Sequence, residues 1–274
     1  MATQVITQRT LNPSEAQLLT TLSGQGQDIF GVQDAERVLH KPNAAVRKLL
    51  HGLTKRNWLQ RIEKGKYLIV PLSAGSDGHY AENELVVATH LIAPYYISYL
   101  TALSHYGLTE QPTRTVYIAT TRRRHSLTLH GVTYRFVTLT RRKFFGHTRV
   151  WIGDKAVEMA DRTKVILDGL DHPELCGGIV EVAKGLWHSR NEMDWKKLET
   201  YARRTGNRAI LKRLGYLLEI FDLGTVNLRE RLQKKMSTGY VVLDPLSPHQ
   251  GIHNARWRLV INVDIDTLTR WRET

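Results

Sequence analysis

Residues 43–71 have the sequence NAAVRKLLHGLTKRNWLQRIEKGKYLIVP, and this stretch determines how the N-terminal part of the chain folds. In its first half, apolar residues recur at the i, i+3, i+4 and i+7 spacing of a buried helix face, at Val46, Leu49, Leu50 and Leu53. This spacing predicts a helix that ends near Arg56. In the second half, short strands are expected over 58–62 and 67–71, on either side of a tight turn at Gly65.

Two further helices are predicted upstream of this stretch. Residues 13–22 follow Asn12, a favourable N-cap residue, and begin with a proline, which is common at the first helical position. Residues 32–39 have apolar residues on one helical face, and a proline-containing break over 40–43 separates them from the next helix. Three helices followed by a two-stranded hairpin is the element order of a winged helix-turn-helix, which we therefore predict for residues 1–72.

The remainder of the chain is expected to form a larger α+β domain over residues 80–274, so the predicted fold class is α+β with an N-terminal winged helix-turn-helix domain. The small and polar residues SAGSDG at 73–78 are typical of a flexible joint, and they predict a linker over 73–79. Apolar periodicity predicts helices over 83–93, 96–106, 155–170, 179–187, 194–205 and 207–221. Alternating or continuous apolar runs predict strands over 114–121, 126–129, 132–138, 150–153, 240–243 and 257–263.

The composition argues against several classes of protein. Hydrophobic residues make up 42% of the 274 residues, which excludes wholesale disorder, and the single cysteine, Cys176, excludes an internal disulfide. Residues 1–8 lack the basic segment and apolar core of a signal peptide, so a cytoplasmic protein is expected. The uncharged stretch 85–109 is long enough to cross a bilayer. Its histidines, its tyrosines and Pro94 nevertheless predict two buried helices, with no membrane span.

The charge balance favours a polyanionic partner. Lys and Arg number 39 against 26 Asp and Glu, which gives a formal net charge of +13. Residues 41–66 contain eight cationic residues and one acid, Glu63. Because the apolar face of the third predicted helix points inward, polar and basic residues occupy its other face, as a recognition helix requires. The DNA-binding candidates on this helix and at the hairpin tip are Asn43, Ala44, Arg47, Lys48, His51, Lys55, Lys64 and Lys66.

The donor chemistry of these side chains suggests specific roles. Arg47 is suited to a bidentate contact with guanine, and Asn43 to one with adenine. Lys64 and Lys66, at the tip of the hairpin, are placed to contact the DNA backbone or the minor groove. Two alternatives would use the same residues, namely a solvated basic face and phosphate contact without base recognition.

Two further basic clusters lie downstream. Residues 111–153 contain nine cationic residues and no acid. The candidate patch in this region consists of Arg122, Arg123, Arg124, Arg141, Arg142 and Lys143, followed directly by Phe144 and Phe145. It suits contact with a DNA backbone, with RNA or with an acidic protein, and the alternative is loop solvation with the phenylalanines in the core. In the third cluster a solvated helix face is expected for Arg203, Arg204, Arg208, Lys212 and Arg213.

Signatures of catalysis are missing from the sequence. It contains neither the phosphate-binding GxxxxGK[ST] motif nor the dinucleotide-binding GxGxxG motif, and no GxSxG nucleophile motif. His249 and His253 have i, i+4 spacing, but a neighbouring proline and glycine argue against one helix that carries both. Asp264 and Asp266 follow an apolar strand, as the metal-binding pair of a nucleotidyltransferase does. The glycine-serine element that must precede such a pair is absent, so a strand end followed by a helix cap is expected. We therefore predict a protein that is not an enzyme and has no catalytic residues, metal ions or cofactors.

Several stretches together resemble a known family. They are the predicted winged helix, YYISYLTALSHYG at 95–107, VYIATT at 116–121 and TRVWIGDKAVEMADRTKVILDGLDHP at 148–173. Over about residues 10–235 the chain is similar to the AbiEi-type antitoxins, the antitoxins and transcriptional regulators of AbiE-like abortive-infection toxin–antitoxin systems, which act in phage defence.

The resemblance implies a DNA-binding transcriptional autorepressor and antitoxin. Its winged helix would bind operator DNA, with inverted repeats upstream of its own operon, through Asn43, Ala44, Arg47, Lys48 and His51. Its C-terminal domain would neutralise a cognate nucleotidyltransferase-like toxin in the type IV manner, which needs no stable complex, and the family supplies no catalytic residues. Two alternatives stay open: a plain winged-helix regulator unrelated to a toxin, and an enzyme whose C-terminal domain modifies a toxin or a nucleic acid.

Overall fold

The computed structural model of the chain describes residues 10–74, 82–129 and 131–272. The chain divides into two compact units, residues 1–83 and 84–274. Both units combine helices with strands, so the protein belongs to the α+β class. The predicted linker, from residue 75 onward, lies outside the described residues.

The described part of the first unit contains three α-helices and a three-stranded antiparallel sheet. In chain order its elements are α1 (Pro13–Gly24), β1 (Ile29–Gly31), α2 (Val32–Leu39), α3 (Asn43–Lys55), β2 (Leu59–Glu63) and β3 (Lys66–Ile69). The strand order is β1-β3-β2. α1 begins as predicted, because Asn12 and Glu15 form a reciprocal capping box and Pro13 occupies the first helical position.

The core of the first unit is built from one face of each helix and from the sheet. Leu18 and Leu22 of α1, and Leu50 and Leu53 of α3, have at most 1% of their surface exposed. They pack in one cluster with Phe30 of β1 and with residues of α2 and the hairpin. Burial of each leucine contributes about 1.5–3 kcal/mol to the free energy of folding.

Arg56 has a structural role at the end of α3. Its guanidinium forms an ion pair with Glu15 and donates a 2.8 Å hydrogen bond to the carbonyl of Thr10. A further hydrogen bond of 3.2 Å reaches the carbonyl of Gly52. This cationic residue of the 41–66 stretch therefore joins the end of α3 to the start of α1.

The described part of the second unit contains a six-stranded mixed sheet, a small three-stranded sheet and eight α-helices. Its strands are β4 (Tyr95–Ile97), β5 (Thr115–Thr120), β6 (Leu127–Leu129), β7 (Val132–Thr138), β8 (His147–Ile152), β9 (Lys155–Ala160), β10 (Val241–Val242), β11 (Ile252–Asn254) and β12 (Leu259–Ile261). Its helices are α4 (Glu84–Leu91), α5 (Tyr99–His105), α6 (Arg162–Asp171), α7 (Ile179–His188), α8 (Trp195–Thr205), α9 (Arg208–Ile220), α10 (Val226–Gln233) and α11 (Ile265–Thr269). The large sheet has the order β6-β7-β5-β4-β9-β8, and the small sheet has the order β10-β12-β11.

The helix predicted over 155–170 is wrong in its first third. Residues 155–160 form β9, which pairs antiparallel with β8. Val157 and Met159 are fully buried and Glu158 between them is not, which is the two-residue period of a strand. α6 begins only after Asp161, whose side chain caps the helix.

The uncharged stretch 85–109 forms two short helices, α4 and α5, with a strand between them. The helix predicted over 96–106 begins only at Tyr99, because Tyr95–Ile97 pair with β5 as strand β4. Within the described residues, none of the helices combines the length and the apolar character needed to cross a membrane.

Candidate nucleic-acid interface

α3 has a buried face and an exposed polar face. Of the four residues predicted for the buried face, Val46, Leu50 and Leu53 are fully buried, and Leu49 is half-buried against the same cluster. The six candidates on the helix are all exposed: Asn43, Ala44, Arg47, Lys48, His51 and Lys55. The helix contains no carboxylate that would offset the cationic charge of this face.

Arg47 is held in place by a hydrogen bond within α3. Its Nε donates to Oδ1 of Asn43 over 2.6 Å, and the side-chain amide of Asn43 donates to Glu36 of α2. Because this contact uses only Nε, the guanidinium can still offer both Nη groups, which have no partner among the described residues. Two parallel N–H donors are what a bidentate contact with guanine requires.

Asn43 is therefore engaged within the protein at both ends of its side-chain amide. The predicted contact with adenine would need the same Oδ1 and Nδ2 atoms. In this structure Asn43 positions Arg47, and a bidentate contact with adenine would have to use the second N–H of Nδ2 and the second lone pair of Oδ1.

The N-terminus of α3 has no side-chain cap. Pro42 occupies the N-cap position, and no acidic residue lies in the first turn. The first N–H groups of the helix can therefore donate to an external acceptor, and a helix N-terminus favours an anion such as phosphate. Ala44, exposed in this first turn, adds little bulk that would keep a phosphate away.

The β2–β3 hairpin carries the other two candidates at its tip. Lys64 is exposed in the turn, next to Gly65, whose φ of +81° suits a glycine. Lys66 is half-buried, and its Nζ lies 3.0 Å from the carboxylate of Glu63. The carbonyl of Gly65 accepts a 3.1 Å hydrogen bond from the N–H of Val32, which attaches the hairpin to the start of α2. Lys64 thus extends from a fixed turn, whereas Glu63 offsets the charge of Lys66.

The six candidates of the second basic region do not form one patch. Arg124 donates to the carbonyl of Leu91, and its guanidinium lies 4.8 Å from the ring centre of Phe136. Lys143 forms an ion pair with Asp171. These two cations stabilise the packing of the second unit.

The other four candidates of this region are exposed: Arg122, Arg123, Arg141 and Arg142. Arg122 and Arg141 line an open groove of about 650 Å³ together with Phe144. Arg142 lies at a different place, where its Nε donates a 2.7 Å hydrogen bond to the carbonyl of Arg204. The predicted patch is therefore divided between separate sites on the second unit.

The solvated face expected for the third basic cluster is wrong for two of its members. Lys212 and Arg213 are buried, because α9 packs against α6, α8 and α10. Arg213 donates hydrogen bonds of 2.8 Å to the carbonyl of Leu170 and 3.0 Å to that of Leu243. Burial lowers the pKa of this guanidinium from its ordinary value. Its role is to satisfy buried carbonyls.

A buried polar network that the sequence analysis missed connects α6 to β4. Lys164 and Asp168 form an ion pair one turn apart on α6, and both are buried. Nζ of Lys164 donates over 3.0 Å to the hydroxyl of Tyr96, which in turn donates over 3.1 Å to Asp168. Ser98 donates to the same carboxylate over 2.8 Å. Burial, and then the Asp168 carboxylate, raise the pKa of Tyr96 well above its ordinary value, so the phenol stays protonated as a donor.

Two signals in the sequence could have pointed to this network. Lys164 and Asp168 have i, i+4 spacing in an otherwise apolar segment, and Tyr96 and Ser98 lie in an uncharged one. In the structure the two segments meet, and both belong to the stretches that carry the family resemblance. The polar residues of these two segments therefore form hydrogen bonds within the core of the second unit.

Of the remaining residues considered for chemistry, His253 and Asp264 line one open groove, and Cys176 is not among its lining residues. Burial raises the pKa of the Cys176 thiol well above its ordinary value, which disfavours the nucleophilic thiolate. Asp264 occupies the N-cap position of α11, and Asp266 is exposed in its first turn. His253 lies on β11, outside any helix shared with His249. Among the described residues, no group of three or more His, Cys, Asp or Glu side chains is arranged to hold a metal ion.

Comparison with known proteins supplies a fold and no family. No protein-family model matches the chain, and no curated protein matches it. Among solved structures, the chain is similar to the crystal structure of the RV2827C protein from Mycobacterium tuberculosis. The two are 13% identical with a TM-score of 0.67, and the match covers 98% of this chain and 97% of that one. At this identity the likeness shows a shared fold over nearly the whole chain.

Proposed function

We propose that this protein is a DNA-binding transcriptional autorepressor and antitoxin. In this proposal the first unit is a winged helix-turn-helix domain that binds operator DNA, and the second unit neutralises a cognate nucleotidyltransferase-like toxin. The protein acts in the cytoplasm of a bacterium, in an abortive-infection toxin–antitoxin system. It is not an enzyme in this proposal and needs no cofactor or metal ion.

One observation carries the DNA-binding part of the proposal. The exposed face of α3 presents Arg47 with its Nε held by Asn43 and its Nη groups without a partner among the described residues. α3 would lie in the major groove with Arg47 at a guanine, while Lys48 and Lys55 contact phosphates. The β2–β3 hairpin would act as the wing, with Lys64 on the DNA backbone. His51, on the same exposed face, completes the contact surface.

The operator is proposed to contain inverted repeats upstream of the protein's own operon. Two copies of the first unit would bind the two half-sites, because inverted repeats present the same bases in opposite directions. The same contacts would serve a plain winged-helix regulator, so they support DNA binding and are neutral about the toxin.

The antitoxin part rests on the resemblance carried by residues 95–107 and 148–173. These stretches contribute Tyr96, Ser98, Lys164 and Asp168 to the buried network, so they help to define the fold of the second unit. The toxin is a functional partner in this proposal, and a stable complex with it is not required.

The full-length protein and the DNA upstream of its gene test both parts. Fluorescence anisotropy should show tighter binding to that DNA than to random DNA of the same length. Cells that express the adjacent gene alone should stop growing, and co-expression of the full-length chain should restore growth. DNA binding without rescue would leave a plain regulator, and failure of both would contradict the proposal as a whole. If the purified protein showed catalytic turnover, and Asp264→Ala abolished it, the protein would instead be an enzyme.

A further inference from the structure

Most of the net positive charge belongs to the second unit, which does not contain the proposed DNA-binding helix. Residues 84–274 contain 29 Lys and Arg against 19 Asp and Glu, whereas residues 1–83 contain 10 against 7. The second unit therefore carries a net charge of +10 out of +13. The contacts of α3 with DNA leave this excess unexplained.

A concave site where α8 turns into α9 gathers cations from three parts of the chain. The pocket has a volume of about 230 Å³. It is lined by Arg142, Arg203, Arg208 and Lys235, together with Ala202, Gly206, Asn207 and Leu211. No carboxylate is among the residues that line this α8–α9 pocket.

Two of the arginines are held in the α8–α9 pocket by neutral acceptors. Arg142 donates from Nε to the carbonyl of Arg204 over 2.7 Å, and Arg208 donates to the carbonyl of Lys235. Because these acceptors are carbonyls, the positive charges are positioned without being neutralised. The Glu199 carboxylate, one turn before Arg203 on α8, interacts electrostatically with Arg203 and lies 2.8 Å from Arg231, but it does not line the pocket.

Gly206 allows Arg142 to reach the pocket. A Cβ at this position would lie 2.7 Å from Cζ of Arg142, and the φ of +74° is a left-handed value that favours glycine. The neighbouring carboxylate of Asp171 is already used, because it accepts from Asn207 and pairs with Lys143. Asp171 therefore does not form an ion pair with the cations of the pocket.

Four like charges in one concavity repel one another, and an anion bound between them would remove this cost. Guanidinium groups match the oxygens of a phosphate with paired N–H donors. The volume is below the ~300–1,000 Å³ of pockets that enclose whole small molecules. A phosphate group fits such a site, with the rest of its carrier outside.

We propose that the α8–α9 pocket is a phosphate-binding site, which takes a phosphate group from a nucleotide or from a nucleic-acid strand. A surface rich in arginine would not by itself support this, but the concave shape, the fixed arginines and the lack of a lining carboxylate do. Arg141, the residue before Arg142, lines a separate open groove. The site does not depend on the proposed function of the first unit.

The test compares two variants of the full-length protein that lose the same charge. Arg203→Gln/Arg208→Gln removes two cations from the pocket. Lys196→Gln/Arg270→Gln removes two exposed cations from elsewhere in the second unit. Inorganic pyrophosphate is titrated into each protein by isothermal calorimetry at low salt. A fluorescein-labelled oligothymidylate is titrated separately and followed by anisotropy.

We expect saturable binding by the wild type and the control variant, and binding at least about tenfold weaker in the pocket variant, because charge-assisted hydrogen bonds are lost. If only pyrophosphate shows this pattern, the phosphate group that the pocket binds belongs to a free phosphate compound. If the oligonucleotide shows this pattern and pyrophosphate displaces the oligonucleotide, the phosphate group belongs to a nucleic-acid strand. Equal loss in both variants, or saturable binding of neither probe by the wild type, overturns the proposal.

Folding of the pocket variant is checked by its melting temperature. If that temperature falls, the single variant Arg203→Gln replaces it, because Arg203 is exposed and its truncation removes no buried contact. Unchanged pyrophosphate and oligonucleotide binding in this single variant would also overturn the proposal.

Discussion

Nε of Arg47 lies 2.6 Å from Oδ1 of Asn43, one helical turn earlier on α3. Asn43 in turn donates to Glu36, so three side chains connect the exposed face of α3 to α2. A side chain that is already held in one arrangement loses less conformational entropy when it binds. The affinity that Arg47 contributes should therefore depend on Asn43, although Asn43 need not contact a base.

This dependence can be measured with a double-mutant cycle on operator DNA. Asn43→Ala should weaken binding by about 0.5–1.5 kcal/mol, through loss of the hydrogen bond to Arg47. In the Arg47→Ala background the same change should have little further effect, which gives a coupling energy of at least about 0.5 kcal/mol. Additive effects in the cycle would show that Asn43 acts independently, as the predicted contact with adenine requires.

Arg47 itself should determine specificity at one base pair. Arg47→Ala should weaken binding to operator DNA by about 1–3 kcal/mol and binding to random DNA by less. Arg47→Lys keeps the charge but not the paired donors, so it should restore random binding and leave specific binding weakened. Anisotropy titrations at one salt concentration measure both. Equal losses on the two DNAs would limit Arg47 to phosphate contact.

The two lysines of the hairpin tip should differ. Lys64→Ala should weaken binding to all DNA alike and reduce the slope of log K against log salt by about 1, because one phosphate contact is lost. Lys66→Ala should have a smaller effect on this slope, since the Lys66 ammonium lies 3.0 Å from the Glu63 carboxylate. Titrations at four or more salt concentrations give the slopes. Identical slopes in the two variants would contradict the assignment of Lys64 to the DNA backbone.

The sequence predicted the elements that local patterns define. The apolar spacing of Val46, Leu50 and Leu53 placed α3 and its exposed face correctly, and the turn at Gly65 placed the hairpin. β1 was not predicted, because its three residues become a strand only by pairing with β3. The helix predicted over 155–170 failed because β9 depends in the same way on its partner β8.

Contacts between distant parts of the chain were not predictable from patterns. Charge counting grouped Arg124 and Lys143 into one patch, but their partners Leu91 and Asp171 lie far away in the sequence. The α8–α9 pocket needs Arg142 and Lys235 in addition to two residues of the third cluster. Such sites form only after the helices pack. A count of charges along the chain therefore cannot distinguish a cation that is available to a ligand from one that is paired within the protein.

Cys176 should be unreactive in the folded protein. It is fully buried, and both burial and the nearby carboxylates of Asp168, Glu174 and Glu181 raise the pKa of its thiol. At about pH 8 the native protein should therefore resist alkylation by iodoacetamide, because the thiolate is the reactive form. Mass spectrometry should show complete alkylation in urea and almost none without it. Rapid labelling of the native protein would mean that the α6–α7 region opens readily.

The Lys164–Asp168 pair should be essential to the stability of the second unit. Asp168→Ala leaves the ammonium of Lys164 buried without its countercharge, which should cost about 3–5 kcal/mol in the free energy of unfolding. The control is Arg231→Ala, which breaks an ion pair with Glu199 whose arginine is half exposed, so it should lower the free energy of unfolding much less. Urea unfolding at neutral pH measures both differences.

The double variant Lys164→Met/Asp168→Leu separates the pair from the charge that its rupture leaves behind. It removes both charges at once and fills the space with apolar side chains, so it should be more stable than Asp168→Ala. The hydroxyls of Tyr96 and Ser98 would lose their acceptor, and the double variant should therefore remain less stable than the wild type. If Asp168→Ala lowers the free energy of unfolding no more than Arg231→Ala does, the buried network contributes no more to stability than an exposed ion pair. A double variant less stable than Asp168→Ala would show that packing, and not the unpaired ammonium, determines the cost.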